Sequence, residues 1–115
     1  MNDREKQIAD FYGLEAQAAK LAEECAEFAA SNSKVFYYYS LLNGMSHTPI
    51  SKAVVREQFE IAREQNAEEL ADVLLMARQV EYLLEGEPEL KAKIDKHMEA
   101  KIERQLKRME EEKAK

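Results

Sequence analysis

Residues 68–76 read Glu68-Glu69-Leu70-Ala71-Asp72-Val73-Leu74-Leu75-Met76. This stretch holds the chain's longest aliphatic run and sets an aspartate in its middle. Asp is a poor helix former, and the chain uses it four times against nineteen Glu. A carboxylate among aliphatic neighbours calls for a pair, a hydrogen bond or a metal, because burying a bare charge is costly. Glu69 stands three positions before it. Residues three apart share one face of a helix, so the run predicts a helix with two acids beside an apolar stripe. A second acidic pair with the same spacing, Glu24 and Glu27, lies upstream.

The rest of the composition suits an all-α fold. The 115 residues are 45% hydrophobic and 35% charged, with three Gly, two Pro and no Trp. That length predicts a single domain, 1–115, with a modest core. A net charge of −6 argues against a nucleic-acid polymer or an anionic membrane surface as partner. It leaves a nucleotide open, since a bound cation reverses the sign locally. Cys25 is the single cysteine, so neither a disulfide framework nor a Cys-based zinc site is expected. The opening residues lack the apolar segment of a secretion signal, and no run approaches the roughly 20 apolar residues of a membrane span. A cytoplasmic protein is the expectation.

Periodicity divides the chain into about four helices. Phe11, Leu14, Ala18, Leu21, Cys25 and Phe28 recur at three and four, predicting a first helix from about Asp3 to Ala30 that Gly13 loosens without ending. Ser31-Asn32-Ser33 reads as a break or kink. Val35 to Leu42 is rich in aromatic and β-branched residues, but without a partner strand it reads as a short helix or a continuation of the first. Met45 to Ile50 is a loop. Thr48-Pro49 has the form of an N-cap followed by proline at the first helical position. A long helix follows to about Glu85, with a predicted interruption near Gln65-Asn66. Gly86 ends it and Pro88 starts the last helix, whose stripe is Leu90, Ile94, Met98, Ile102, Leu106 and Met109. Its tail, Glu110 to Lys115, is expected to fray.

If the stripes beside the two acidic pairs pack together, with Leu21, Cys25 and Phe28 against Leu70, Val73, Leu74 and Ala77, four carboxylates meet at the edge of the core. Clustered carboxylates repel unless a cation neutralises them. Oxygen ligands favour Mg²⁺ or Mn²⁺ over zinc, and Mg²⁺ commonly takes phosphate oxygens as further ligands. The chemistry that follows is metal-assisted attack of water on a phosphate compound. The competing reading is that Glu-rich helices carry such spacings on solvated faces.

Two segments also carry a family resemblance. Lys20-Leu21-Ala22-Glu23-Glu24-Cys25-Ala26-Glu27-Phe28 resembles the K-L-x-E-E-x-x-E segment of MazG-like nucleoside triphosphate pyrophosphohydrolases, and Glu68 to Leu74 resembles their E-E-L-x-D-V-L segment. The ordered pair spans about Phe11 to Arg108. The resemblance implies an all-α helical bundle assembled as a homodimer or homotetramer. It implies Mg²⁺-dependent cleavage of a nucleoside triphosphate, such as a dNTP, to the monophosphate and pyrophosphate. It makes Glu24, Glu27, Glu69 and Asp72 the catalytic metal ligands, with Mn²⁺ as a substitute ion. Glu23 is a water-positioning helper or a surface acid. Lys20 pairs with an acid or with a phosphate. The spacing between Glu27 and Glu69 exceeds that of the shortest family members, and the surplus falls in the Tyr-rich segment and the loop around His47. An added helix or a lid is expected there, as in relatives of the dimeric dUTPase or dCTP pyrophosphatase type.

On the last helix His97, Lys101, Arg104 and Arg108 share a face. By the same resemblance Lys101 and Arg104 bind the triphosphate, for which guanidinium geometry is well suited; the alternative is a solvated face paired with Glu99 and Glu103. Phe11, Tyr12 and Phe36 to Tyr39 are candidates to stack on a base, or else core and interface. Gln17 and Asn66 are of the type that reads base edges, although nothing in the sequence singles them out. Cys25 is expected in the core and His47 in solvent. Two other functions fit the sequence. One is phosphoribosyl-ATP pyrophosphohydrolase, which shares the acidic pattern. The other is a non-enzymatic self-association module built on the stripe Ile94 to Met109.

Overall fold

The computed structural model describes residues 1–44 and 49–115, with the side chains of residues 49 and 50 left out. It is 94% helical, with four α-helices and no strand among the described residues. The helices are α1 (Asp3–Tyr12), α2 (Leu14–Gly44), α3 (Pro49–Leu83) and α4 (Pro88–Lys113), and a 3₁₀ turn over Leu84–Gly86 joins the last two. The predicted Thr48 cap and His47 fall outside the described residues, while Pro49 opens α3 as expected.

Gly13 ends the first helix, contrary to the expectation of one helix to Ala30. Its φ is +86°, a backbone conformation open to glycine and strained for other residues. Its N–H still donates to the Ala9 carbonyl at 2.9 Å, which closes α1 before the chain turns. By contrast, Ser31-Asn32-Ser33 breaks nothing. The Ser33 hydroxyl donates to the Ala29 carbonyl four residues back, and Ser31 Oγ accepts from Asn66 Nδ2 on α3 at 3.4 Å. With those polar groups satisfied inside the helix pair, α2 runs unbroken through the Tyr-rich segment. No interruption occurs at Gln65-Asn66 either, and α4 stays helical to Lys113.

α2 and α3 form a long antiparallel hairpin. Gln17 meets Gln79, Ser31 meets Asn66 and Tyr39 meets Phe59, so the chain advances along one helix as it retreats along the other. The less exposed positions of α2 include Leu14, Gln17, Leu21, Glu24, Phe28, Ser31, Val35, Tyr38 and Leu42. Those of α3 include Val55, Phe59, Ala62, Asn66, Glu69, Val73, Met76, Val80 and Leu83. Steps of three and four alternate in both, the spacing of a coiled-coil seam. The seam takes Gln17 and Glu24 where the apolar pattern predicts Ala18 and Cys25. Cys25 is therefore exposed, not core.

α1 is fastened across the open end of this hairpin by polar contacts to α3. Asn2 and Glu5 form a reciprocal capping box, each backbone N–H donating to the other's side chain at 2.9 Å. The same Glu5 accepts from Arg78 Nη2 at 2.7 Å, and the Tyr82 hydroxyl donates to Asp10 at 3.1 Å. Ala9 is fully buried beneath them.

The apolar core of the single chain is small. Among the described residues, Ala9, Ala62 and Met76 are the buried apolar side chains. α4 packs on the 3₁₀ turn and makes no extensive contact with α1 or α2. Its stripe lies open, with Met98 55% exposed, and so does Leu74 on α3 at 56%. The radius of gyration is 19.4 Å, against about 13 Å for a compact chain of this length.

The Asn2 backbone N–H, and after it Arg78, hold the Glu5 carboxyl below the usual carboxylate range. A carboxyl whose folded pKa is depressed stabilises the fold above its unfolded pKa and loses that contribution as pH falls through the folded value. Acidification is therefore expected to release α1 before the hairpin. Hydrogen exchange read by segment checks this. Residues 3–12 should accelerate in Arg78→Met at neutral pH, with α2 and α3 unchanged. Uniform exchange across all three helices would contradict it.

Candidate metal centre

The hairpin brings acids together two turns from its Gln17–Gln79 end. Glu24 occupies a seam position of α2 and Glu69 one of α3, and Asp72 stands one turn beyond Glu69. Glu24, Glu69 and Asp72 each offer a carboxylate oxygen within 4.8 Å of the others. Three of the four acids singled out by spacing thus share one point. Glu24 is 6% exposed and Glu69 half-buried. Asp72 is exposed, contrary to its expected burial among aliphatic neighbours, because Leu70, Leu74 and Leu75 around it are themselves open to solvent.

Glu27 lies on the solvent side of the cluster. The charge of Glu24, then burial, then the charge of Glu69 push its pKa up; a hydrogen bond to Glu24 adds to this, and Lys20 opposes it. The shift follows from the negative charge that the carboxylates concentrate here. The one cation at the cluster among the described residues is Lys20, whose Nζ lies 3.2 Å from Glu24 Oε1 and 3.3 Å from Glu23 Oε2. Hydrogen bonds to Glu24 and Glu23 raise its pKa, so it stays charged. The structure thus gives Lys20 two acids as salt-bridge partners, the buried Glu24 and the exposed Glu23.

Two oxygens are left without partners. Glu24 Oε2 and Glu69 Oε2 are buried and accept no hydrogen bond from the described residues. An orphaned buried acceptor costs about 1–3 kcal/mol, more when charged, and two of them belong to seam residues, at positions where apolar side chains would pack. An oxygen-only donor set from two rigid helices, anionic and partly buried, fits a hard divalent cation such as Mg²⁺ or Mn²⁺. It offers no thiolate or imidazole that would favour zinc.

Lys101 and Arg104 are not part of this centre. Both are exposed on α4, beyond the 3₁₀ turn, and no ion pair or hydrogen bond joins either of them to an acid of α2 or α3. The triphosphate-binding role expected for them is not built by one chain, because α4 does not fold back on the hairpin. Tyr37 and Tyr39 are exposed, and Tyr38 takes the seam position. Gln79, 1% exposed, is the site residue that sequence patterning misses. It lies beside the seam and is bonded to Gln17, a pairing legible only once the hairpin register is known.

Against models of protein families, curated proteins and solved structures, the chain finds no match. No helix among the described residues is long and apolar enough to cross a membrane.

If the acids exist to hold a cation, their repulsion destabilises the metal-free fold. Glu69→Gln should then raise the melting temperature in chelator, by an amount corresponding to about 1 kcal/mol or more. Mg²⁺ or Mn²⁺ should stabilise the native protein and leave Glu69→Gln unaffected. A variant less stable than the native chain in chelator, yet still stabilised by the ion, would contradict this.

Proposed function

We propose that this chain is a divalent-cation-dependent hydrolase that cleaves a nucleoside triphosphate to the monophosphate and pyrophosphate, as a MazG-like pyrophosphohydrolase. The observation that carries this reading is the pair of buried, unpartnered oxygens of Glu24 and Glu69 in one carboxylate cluster with Asp72. Acids on a solvated face would have no reason to bury such atoms. The order of the two acidic segments along the chain adds the resemblance.

Glu24, Glu69 and Asp72 would hold Mg²⁺, with Glu27 completing the cage from the solvent side. When bound, the ion neutralises phosphate charge and polarises the phosphoryl group toward water. The chain's own part is orientation. Two helices locked in register fix the carboxylates, and Lys20 holds Glu24 in place from one turn away. Exposed Asp72 and Glu27 lie on the side open to a substrate. Rigid placement of this kind accounts for much of phosphoryl-transfer catalysis.

The exposed stripes of α4 and the Leu70–Leu74 face support a homo-oligomer, dimer or tetramer. In such an assembly α4 of a neighbouring copy would cover the α3 face and carry Lys101 and Arg104 toward the triphosphate. With three buried apolar side chains among the described residues, such cover would add the apolar burial the single chain lacks.

Pyrophosphate release across a panel of ribo- and deoxynucleoside triphosphates, with phosphoribosyl-ATP included, tests the reading. Turnover should require Mg²⁺ or Mn²⁺ and vanish in Glu27→Gln and Asp72→Asn while the helical circular dichroism persists. Full activity in both variants would remove the cage from the chemistry. Light scattering should give a dimer or tetramer; a stable monomer at micromolar concentration would refute the oligomer.

A further inference from the structure

Beside the acidic cluster the α2–α3 groove opens into a cavity of about 450 Å³, walled on its third side by α1. Its size falls within the range of small-molecule sites. Ile8, Tyr12 and Met76 give it apolar walls, Gln17 and Gln79 line it, and Lys20 stands at its end. That same Lys20 reaches Glu24, so cavity and acids share a wall. Gln17 lies seven residues before Glu24, and Gln79 seven after Asp72. Both spacings are two helical turns, about 10 Å along the hairpin.

Besides Lys20, the mostly apolar lining carries a pair of amides. Gln17 Nε2 donates to Gln79 Oε1 at 2.6 Å, in a contact buried between the helices. A primary amide has two N–H donors and an oxygen that accepts twice. One shared bond therefore leaves hydrogen-bonding capacity on both amides, an acceptor oxygen on Gln17 and N–H donors on Gln79. A paired acceptor and donor is the complement of a nucleobase edge, which carries adjacent donors and acceptors on a flat ring. Tyr12, 59% exposed at the rim, offers a ring on which such a base can stack.

We infer that this cavity is the base subsite, with the Gln17–Gln79 amide pair reading the edge of the nucleotide's base and Tyr12 stacking on its face. The inference rests on the proposed nucleotide reading and adds to it the residues that choose the base. The ribose and α-phosphate span the two turns from the amide pair to the acids. Lys20 stands at the junction, within reach of the phosphates.

Isothermal titration in Mg²⁺ with tripolyphosphate, and with a set of α,β-methylene nucleoside triphosphates, separates the two layers. In the native protein at least one nucleotide should bind about tenfold or more tightly than tripolyphosphate, from stacking and edge contacts. The double variant Gln17→Met/Gln79→Met replaces both partners of the hydrogen bond by apolar groups of similar shape, a change that is often near neutral for folding. It should keep the tripolyphosphate affinity and bring all nucleotides within about threefold of one another. Native base preference retained in the double variant would overturn the inference. So would a native protein that binds tripolyphosphate as well as any nucleotide, although the phosphate reading would survive. Absence of binding by both ligands in Mg²⁺ would overturn the phosphate reading and the base subsite with it. Should the double variant lose its helical spectrum, Tyr12→Ala decides. This exposed substitution should weaken nucleotide binding about fivefold or more with tripolyphosphate unchanged, and equal nucleotide affinity would refute the subsite.

Discussion

Two carboxylates face each other across the seam of an antiparallel helix pair, and the rest of the structure is arranged around that conflict. Seam positions ordinarily take apolar side chains that interlock. Here Glu24 from α2 and Glu69 from α3 take them, each with a buried oxygen that nothing in the described chain satisfies. Lys20 offsets part of the charge on one side only. Such a seam is costly for a bare hairpin and favourable for one that closes on a cation. The strain between the acids and their fit to a hard cation are consequences of the same placement.

The polar seam extends beyond the acids. Gln17 with Gln79 lies on one side of them and Ser31 with Asn66 on the other, so a polar layer recurs about every second turn and the two hydrogen-bonded layers flank the acids. These layers fix the register of two long helices with little apolar burial between them. A slip by one residue would turn Glu24 away from Glu69. α1 adds to the register at one end through Arg78–Glu5 and Tyr82–Asp10, and in doing so it walls the cavity beside Gln79.

Much of the helical layout is legible in the sequence, for physical reasons. Gly86 followed by Pro88 ends one helix and starts the next, and Pro49 opens α3. The three-residue spacing of Glu24/Glu27 and Glu69/Asp72 places each pair on one face, and the hairpin brings them together. Other features depend on contacts that no local pattern contains. The break at Gly13 is hidden because Phe11, Leu14 and Ala18 keep helical spacing across it. The continuity through Ser31-Asn32-Ser33 depends on Asn66, which is distant in the chain. Ala18 and Cys25 have the right period for the seam, but Gln17 and Glu24, one step away, have it too. Hydrophobicity favours the former; the structure takes the latter. The separation of Lys101 and Arg104 from the acids follows from the direction α4 takes after the 3₁₀ turn.

The central claim concerns an ion between two helices, and anomalous scattering from crystals grown with Mn²⁺ tests it most directly. The account predicts an anomalous peak bounded by carboxylate oxygens of Glu24, Glu69 and Asp72, with the buried Oε2 atoms of the two glutamates turned onto it. Clean density for the hairpin with no peak there, and those oxygens bonded instead to water or to Lys20, would contradict it.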